Sequence, residues 1–228
     1  MSIIAQMGPL TKVDGSSLIE SKQTKIICSV TGPIEPKSRQ ELPTQLALEI
    51  IIRPAAGVPN TREKLMEDKL RAVITPIITR YLYPRQLCQI TLQILNSGES
   101  ELEFAQRELA TCINATLIAL IDAGIALNSM CACVPIALTS KEGSDETLLI
   151  IDPSDEELKS SNSVHVLALE LVDQCKTVKN VLLLDSNGDF NEKDLFNILE
   201  SGEVEVLKLG KQIRHIVESK INSDITSI

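Results

Sequence analysis

Glu108-Leu-Ala-Thr-Cys-Ile-Asn-Ala-Thr-Leu-Ile-Ala-Leu-Ile-Asp-Ala-Gly124 and the residues after it, as far as Leu169, decide the fold. The stretch is too apolar to be a surface helix and ends on a glycine, so it reads as a core helix. Met130-Cys-Ala-Cys-Val-Pro-Ile-Ala-Leu138 then has the pattern of a strand. A polar hairpin turn comes next, then a second strand ending Ile150-Ile-Asp-Pro153, and a connection into Val164-His-Val-Leu-Ala-Leu169. A core helix that feeds a sheet edge is a common place for a site. Glu108 to Leu169 is therefore the first stretch to test for one.

Upstream, Val13 to Glu20 reads as a turn at Asp14-Gly15 feeding a strand, and Thr24 to Thr31 as a second strand stopped by Gly32-Pro33. A short polar link makes the two a hairpin. Ile3 to Pro9 is weakly patterned. Ile34 to Pro43 is a polar, proline-rich loop, and Thr44 to Arg53 a third strand. Asn60 or Thr61 caps a helix whose apolar positions are Leu65, Leu70, Val73, Ile74, Ile77 and Ile78, with Pro76 as a kink or break. Gln86 to Leu95 alternates apolar and polar residues as a half-buried strand does. Downstream, Lys176 to Leu184 is a strand ended by Asp185-Ser-Asn-Gly188. Asn191 caps a last helix, Glu192 to Lys220, with Gly202 and Gly210 as weak points and a frayed tail from Asn222 to Ile228. Runs of strands separated by single helices indicate α+β rather than a doubly wound parallel sheet. A division near residue 128 gives two halves, 1–127 and 128–228, each with a sheet and at least one helix.

The chain of 228 residues can bury a sizeable core without disulfides or metal. Its net charge is −9. A chain that binds nucleic acid by itself usually carries a basic face, because phosphate neutralisation supplies most of the affinity. With no Trp, two Tyr and three Phe it also lacks a stacking platform. Any meeting with RNA is expected beside more basic partners. The six cysteines (Cys28, Cys88, Cys112, Cys131, Cys133, Cys175) sit mostly in apolar runs, as buried thiols of an intracellular protein do. No apolar run has the length of a membrane span.

Several motifs reduce to structural readings. Asp185, Asn187 and Asp189 have the spacing of a calcium loop, but Phe190 stands where that loop needs Gly and Phe196 where it needs Glu. Cys131 and Cys133 share one face of a strand but have neither zinc spacing nor a second pair. His165 lies in an apolar strand and His215 on a late helix, too scattered for a catalytic set. No phosphate-binding glycine motif is present. The acidic runs Glu99–Glu103 and Asp155–Glu157 read as solvated loop faces.

Taken in order, Asp14-Gly-Ser-Ser17, Thr24 to Pro33, Leu82-Tyr-Pro-Arg-Gln86 and Ile113-Asn-Ala through Asp122-Ala-Gly-Ile125 resemble RNase PH-type proteins. Within that family the chain looks like an RNase PH-like ring subunit of the eukaryotic RNA exosome. The resemblance implies two βαβα-type halves, mixed sheets packed on helices, and a hexameric ring. It implies other RNase PH-like exosome subunits, RNA-binding cap subunits and an associated catalytic nuclease as partners. It also implies RNA in the assembled channel, no cofactor, and residence in nucleus, nucleolus and cytoplasm.

Active members of the family attack the RNA 3′ end with inorganic phosphate and release a nucleoside diphosphate. They place a Gly-Thr-Arg turn before the Asp-Ala-Gly helix. Here the segment is Ala105-Gln-Arg-Glu-Leu-Ala110; the family's arginine falls on Leu109, and Arg107 is two residues away. Of the family's acidic positions, one falls on Asp152, and two later ones on Leu158 and Val164, with Asp155 and Glu156 nearby. Aliphatic side chains transfer no proton. The resemblance thus implies a non-catalytic ring subunit. The rivals are an active phosphorolytic exoribonuclease and a free-standing RNA binder. In active relatives an arginine pair opens the helix that here begins Thr61-Arg-Glu-Lys64 and faces the RNA path. Arg62 matches one of the pair and is the RNA-binding candidate; Lys37 and Arg39 are weaker ones. No catalytic or metal-binding residue is assigned.

Overall fold

The computed structural model describes residues 3–101, 103–140 and 147–226. In chain order the elements are β1 (Ile4–Met7), β2 (Gly15–Ser21), β3 (Thr24–Ile34), β4 (Ala47–Arg53), α1 (Thr61–Ile77), β5 (Leu87–Asn96) and α2 (Gln106–Asp122). They continue with β6 (Met130–Ser140), β7 (Thr147–Ile151), α3 (Asp155–Lys159), β8 (Ser163–Val172), β9 (Thr177–Gly188) and α4 (Glu192–Thr226). A 3-10 turn, Arg80–Leu82, links α1 to β5.

Two sheets form, one on each side of α2. The first has the order β1-β2-β3-β5-β4 and is mixed: β4 and β5 run parallel because α1 crosses between them, and the other pairs are antiparallel. The second, β7-β6-β8-β9, is antiparallel throughout. The α+β class is as expected from the strand runs, while mixed pairing is confined to the first sheet.

Every residue of α2 from Gln106 to Leu120 is buried, because the helix packs on β2 and β3 on one side and on β6 and β8 on the other. A helix apolar on all sides has only such an interlayer position open to it. Asn114 is fully buried there. Its Nδ2 donates to Cys133 O at 2.8 Å and its Oδ1 accepts from Cys133 N at 2.9 Å. It stands in for the strand that β7 does not supply at that point of β6, since β7 pairs only as far as Ile136. The core is continuous from Ile19 and Ile26 of the first sheet through α2 to Val166 and Leu169 of the second.

Several expectations change. The weakly patterned start is a strand, β1, paired with β2 from Ile4 to Met7. β3 does not stop at Gly32-Pro33 but continues to Ile34, with a register shift after Thr31. Pro76 does not divide α1 but lies in its last turn, one residue from the end. Leu65 is 55 % exposed, and Met66 is the residue that turns inward. β9 runs through Asp185 to Gly188 rather than ending there. The turn that joins β8 to β9 lies at Asp173, Gln174 and Cys175, all with positive φ. α4 extends past Lys220 to Thr226, so most of the supposed tail is helical. The polar hairpin turn between β6 and β7 falls on residues 141–146, outside the described residues.

Candidate functional site

The N-terminus of α2 carries no cap of its own, since Ala105 at that position offers no side-chain acceptor. Glu99, from the loop after β5, supplies one. Its Oε2 accepts from Arg107 N at 3.2 Å and its Oε1 from Glu108 N at 3.0 Å. A carboxylate on the first-turn amides is favoured by the helix dipole as well as by the hydrogen bonds. Burial pushes the Glu99 carboxyl up to about 7, with the neighbouring Glu108 charge adding to the rise and the two amides opposing it. Glu99 therefore is not part of a solvated loop face. Asp155 and Glu157 instead open the short helix α3; Asp155 accepts from Ser100 N at 3.0 Å and Glu157 from Ser154 N at 2.6 Å.

Arg107 points inward from α2 and is 2 % exposed. Its Nη1 donates to Gly98 O at 2.8 Å and its Nη2 to Ser21 O at 3.2 Å. Its Nε faces Asp152 Oδ1 at 3.9 Å, too far for a hydrogen bond, and Asp152 is itself buried. Lys22, on the β2–β3 turn, donates to the backbone oxygen of Asp152. The α2 N-terminus, the first hairpin and the end of β7 thus meet at one polar cluster.

Arg62 closes this cluster from α1. Its Nη2 contacts Glu108 Oε2 at 2.5 Å and Phe104 O at 2.7 Å, and its Nη1 contacts Glu63 Oε1 at 3.2 Å. Burial works against the guanidinium charge, but Glu108 and Glu63 outweigh it and hold the Arg62 pKa above its ordinary value. Burial also pushes Glu108 up, against the pull of Arg62. The Arg62 side chain is 21 % exposed and stands on the rim of a concavity of about 390 Å³ between α1, residues 103–106 and β9. Lys37 and Arg39 lie exposed on the β3–β4 loop, their side chains in no hydrogen bond or ion pair among the described residues.

The other singled-out residues are structural. Leu109, Leu158 and Val164 are core residues. All six cysteines are free and buried, and burial raises the thiol pKa of each. His165 lies between the hydroxyls of Ser163 at 2.9 Å and Ser186 at 2.8 Å, with Phe190 edge-on at 5.0 Å. Asp185 pairs with Lys69 at 2.6 Å and Asn187 lies in register with Val164, so no ion loop forms there.

The ordered motif pieces also converge. Asp14 Oδ2 accepts from Gly32 N, Asp122 Oδ2 accepts from Ser16 N, each at 2.8 Å, and Ser17 Oγ donates to Ala115 O at 2.7 Å. The Asp122 and Ser17 bonds lock the first hairpin onto α2, and the Asp14 bond closes the hairpin itself. What the arrangement does chemically is hold its own charges against one another. The first α2 amides are held by Glu99, Arg62 by Glu108, and Arg107 by backbone oxygens.

An α+β frame of two sheets around a buried central helix, with a polar cluster at that helix's N-terminus, places the chain in a recognisable class. The chain belongs to the RNase PH family: the family model described as 3' exoribonuclease family, domain 1, matches residues 2–126. It is 65 % identical to exosome complex component RRP46 of Saccharomyces cerevisiae, over 97 % of this chain and 98 % of that protein. It is 26 % identical to exosome complex component rrp46 of Schizosaccharomyces pombe, over 95 % and 90 % of the two chains. The crystal structure of rice (Oryza sativa) Rrp46 superposes with a TM-score of 0.79 over 93 % of both chains, at 22 % identity, an agreement in fold.

Proposed function

We propose that this chain is a ring subunit of the RNA exosome that performs no phosphorolysis itself and supports 3′-to-5′ RNA processing by nucleases carried elsewhere in the complex. Its nearly full-length likeness to exosome components supports the assignment to that complex. Its partners are then the other RNase PH-like subunits, the RNA-binding cap subunits, the associated nuclease and RNA in the channel, and its places are nucleus, nucleolus and cytoplasm. Residues 1–127 and 128–228 are its two family halves.

The observation that carries the non-catalytic reading is Glu99 on the α2 amides. Phosphorolysis needs amides and a cation free to hold inorganic phosphate, and a carboxylate within reach of the leaving oxygen. Here Glu99 already occupies the α2 amides, and backbone oxygens hold Arg107. Leu158 and Val164, core residues, stand where the family resemblance sets acidic ones. The purified chain, alone or with one ring neighbour, is expected to release no nucleoside diphosphate from a 3′-tailed RNA in the presence of phosphate. Phosphate-dependent release, with an active relative as standard, refutes the reading and establishes the phosphorolytic alternative.

Arg62 is the RNA contact within this proposal. Its guanidinium is held in one direction by Glu108 and Phe104 and stands partly exposed on a concavity rim, ready to donate to a phosphate. Because Glu108 and Glu63 already offset its charge, it acts as an oriented donor more than as a counter-ion. In the assembled ring, Arg62→Lys keeps a cation beside Glu108 but loses the planar fork. RNA affinity is expected to fall several-fold, with a change in salt slope below about one. Unchanged RNA affinity at low salt removes Arg62 from the path.

A further inference from the structure

At the outer edge of the first sheet, β4 has a neighbour only on its β5 side among the described residues. Arg71 of α1 and Arg80 of the 3-10 turn reach over this edge. Arg71 Nη1 donates to Leu48 O at 2.6 Å, and Arg80 Nε to Leu46 O at 2.9 Å. Each guanidinium gives one donor to the strand and keeps the rest. Both line a second concavity of about 390 Å³, with Leu42, Leu48 and Leu87 among its walls.

Neither arginine has an ion-pair partner among the described residues. Glu49 lines the same concavity, but its two oxygens accept from the amides of Gln40 at 2.9 Å and Gln89 at 3.0 Å. Burial, and after it the Arg71 charge, holds the Arg80 pKa below its ordinary value. Two half-buried like charges with no ion-pair partner among the described residues are a local cost in a chain whose net charge is −9. An incoming anion removes that cost. The aliphatic walls say what carries the anion. A phosphodiester offers them little to cover, whereas a protein segment brings an acidic side chain and apolar neighbours together. Tyr81 and Leu82, 71 % and 54 % exposed, follow Arg80 directly in the chain and extend the apolar surface beside it.

We propose that Arg71 and Arg80 form a receptor for an Asp or Glu side chain, flanked by apolar residues, on a neighbouring protein chain of the ring. The inference rests on the ring assignment above. Phenylglyoxal, which modifies accessible guanidiniums, tests it by mass spectrometry. In the isolated chain both arginines are expected to react; in a ring reconstituted with RNase PH-like sister subunits, without RNA, both are expected to be protected. An Arg71→Gln/Arg80→Gln chain, which removes both charges and keeps a donor at the Nε position of residue 80, is expected to compete at least about tenfold less well for the ring. If that variant misfolds, the protection pattern alone decides. Arginines that react equally in the assembled ring, or that resist modification already in the isolated chain, overturn the receptor while leaving the ring standing. Protection that appears only on adding RNA assigns the site to phosphate and also overturns it. A wild-type chain that enters no ring overturns the ring assignment, and this inference with it.

Discussion

Glu99 is the residue on which the site turns, and nothing local in the sequence marks it. A helix cap is normally found within a few residues of the first turn. Glu99 reaches amides at Arg107 and Glu108 from the far side of a loop, and an acidic loop residue reads as solvated until the fold encloses it. The readable signal was the opposite one, an apolar helix beginning after Ala105 with no acceptor to cap it. Its burial has a consequence for pH. The folded-state pKa of Glu99, near 7, lies above its ordinary 4.5, so between those values the folded protein holds a proton that the unfolded chain has released. The stability this group contributes is therefore complete below about pH 4.5 and is lost as pH rises through 7. Over that window the loss amounts to at most about 3 kcal/mol. Glu99→Gln removes the titration, so urea midpoints followed from pH 4.5 to 8 are expected to decline less steeply in the variant. Parallel profiles contradict the assignment.

Among the elements, α4 shows how a weakness in sequence becomes a packing requirement. Gly202 and Gly210 lower helix propensity, yet both are buried against β8. A Cβ on Gly202 meets Leu167 Cδ2 at 2.5 Å and Ile136 Cδ1 at 3.0 Å. Gly202→Ala gains about 1 kcal/mol of helix propensity but is expected to cost about 1–3 kcal/mol net through overpacking. Gly15→Ala is expected to cost more, because the obstacles are backbone atoms at the C-terminal end of α2, Ala119 O at 2.4 Å and the capping Ala123 N at 2.3 Å, and a helix backbone does not move aside as a leucine tip does. Denaturant titrations of the two variants rank them; a Gly15→Ala protein as stable as wild type refutes the packing argument. The periodic helices and the alternating β5 were legible because one face of each is buried. The end of β9 was not, since Asp185 and Asn187 resemble turn residues until β8 pairs with them.

At the scale of the whole molecule, α2 belongs to both sheets and α4 packs against β1, so the first and last elements of the described chain touch. With one continuous core, the chain is expected to unfold in a single transition by calorimetry and by circular dichroism. A chain ending at residue 127 exposes the α2 face that covers β6 and β8, and is expected to be unfolded; an independently folded fragment contradicts this. The α+β class, the buried helix from Glu108 and the family frame lie in the sequence itself. The class and the helix follow from periodicity, which is local to the chain, and the family frame from the resemblance of an ordered set of short motifs. The position of Glu99, the pairing of Arg62 with Glu108 and the two unpaired arginines over β4 were settled only in the tertiary structure. A charged side chain takes its meaning from the groups that surround it, and here those groups come from distant parts of the chain.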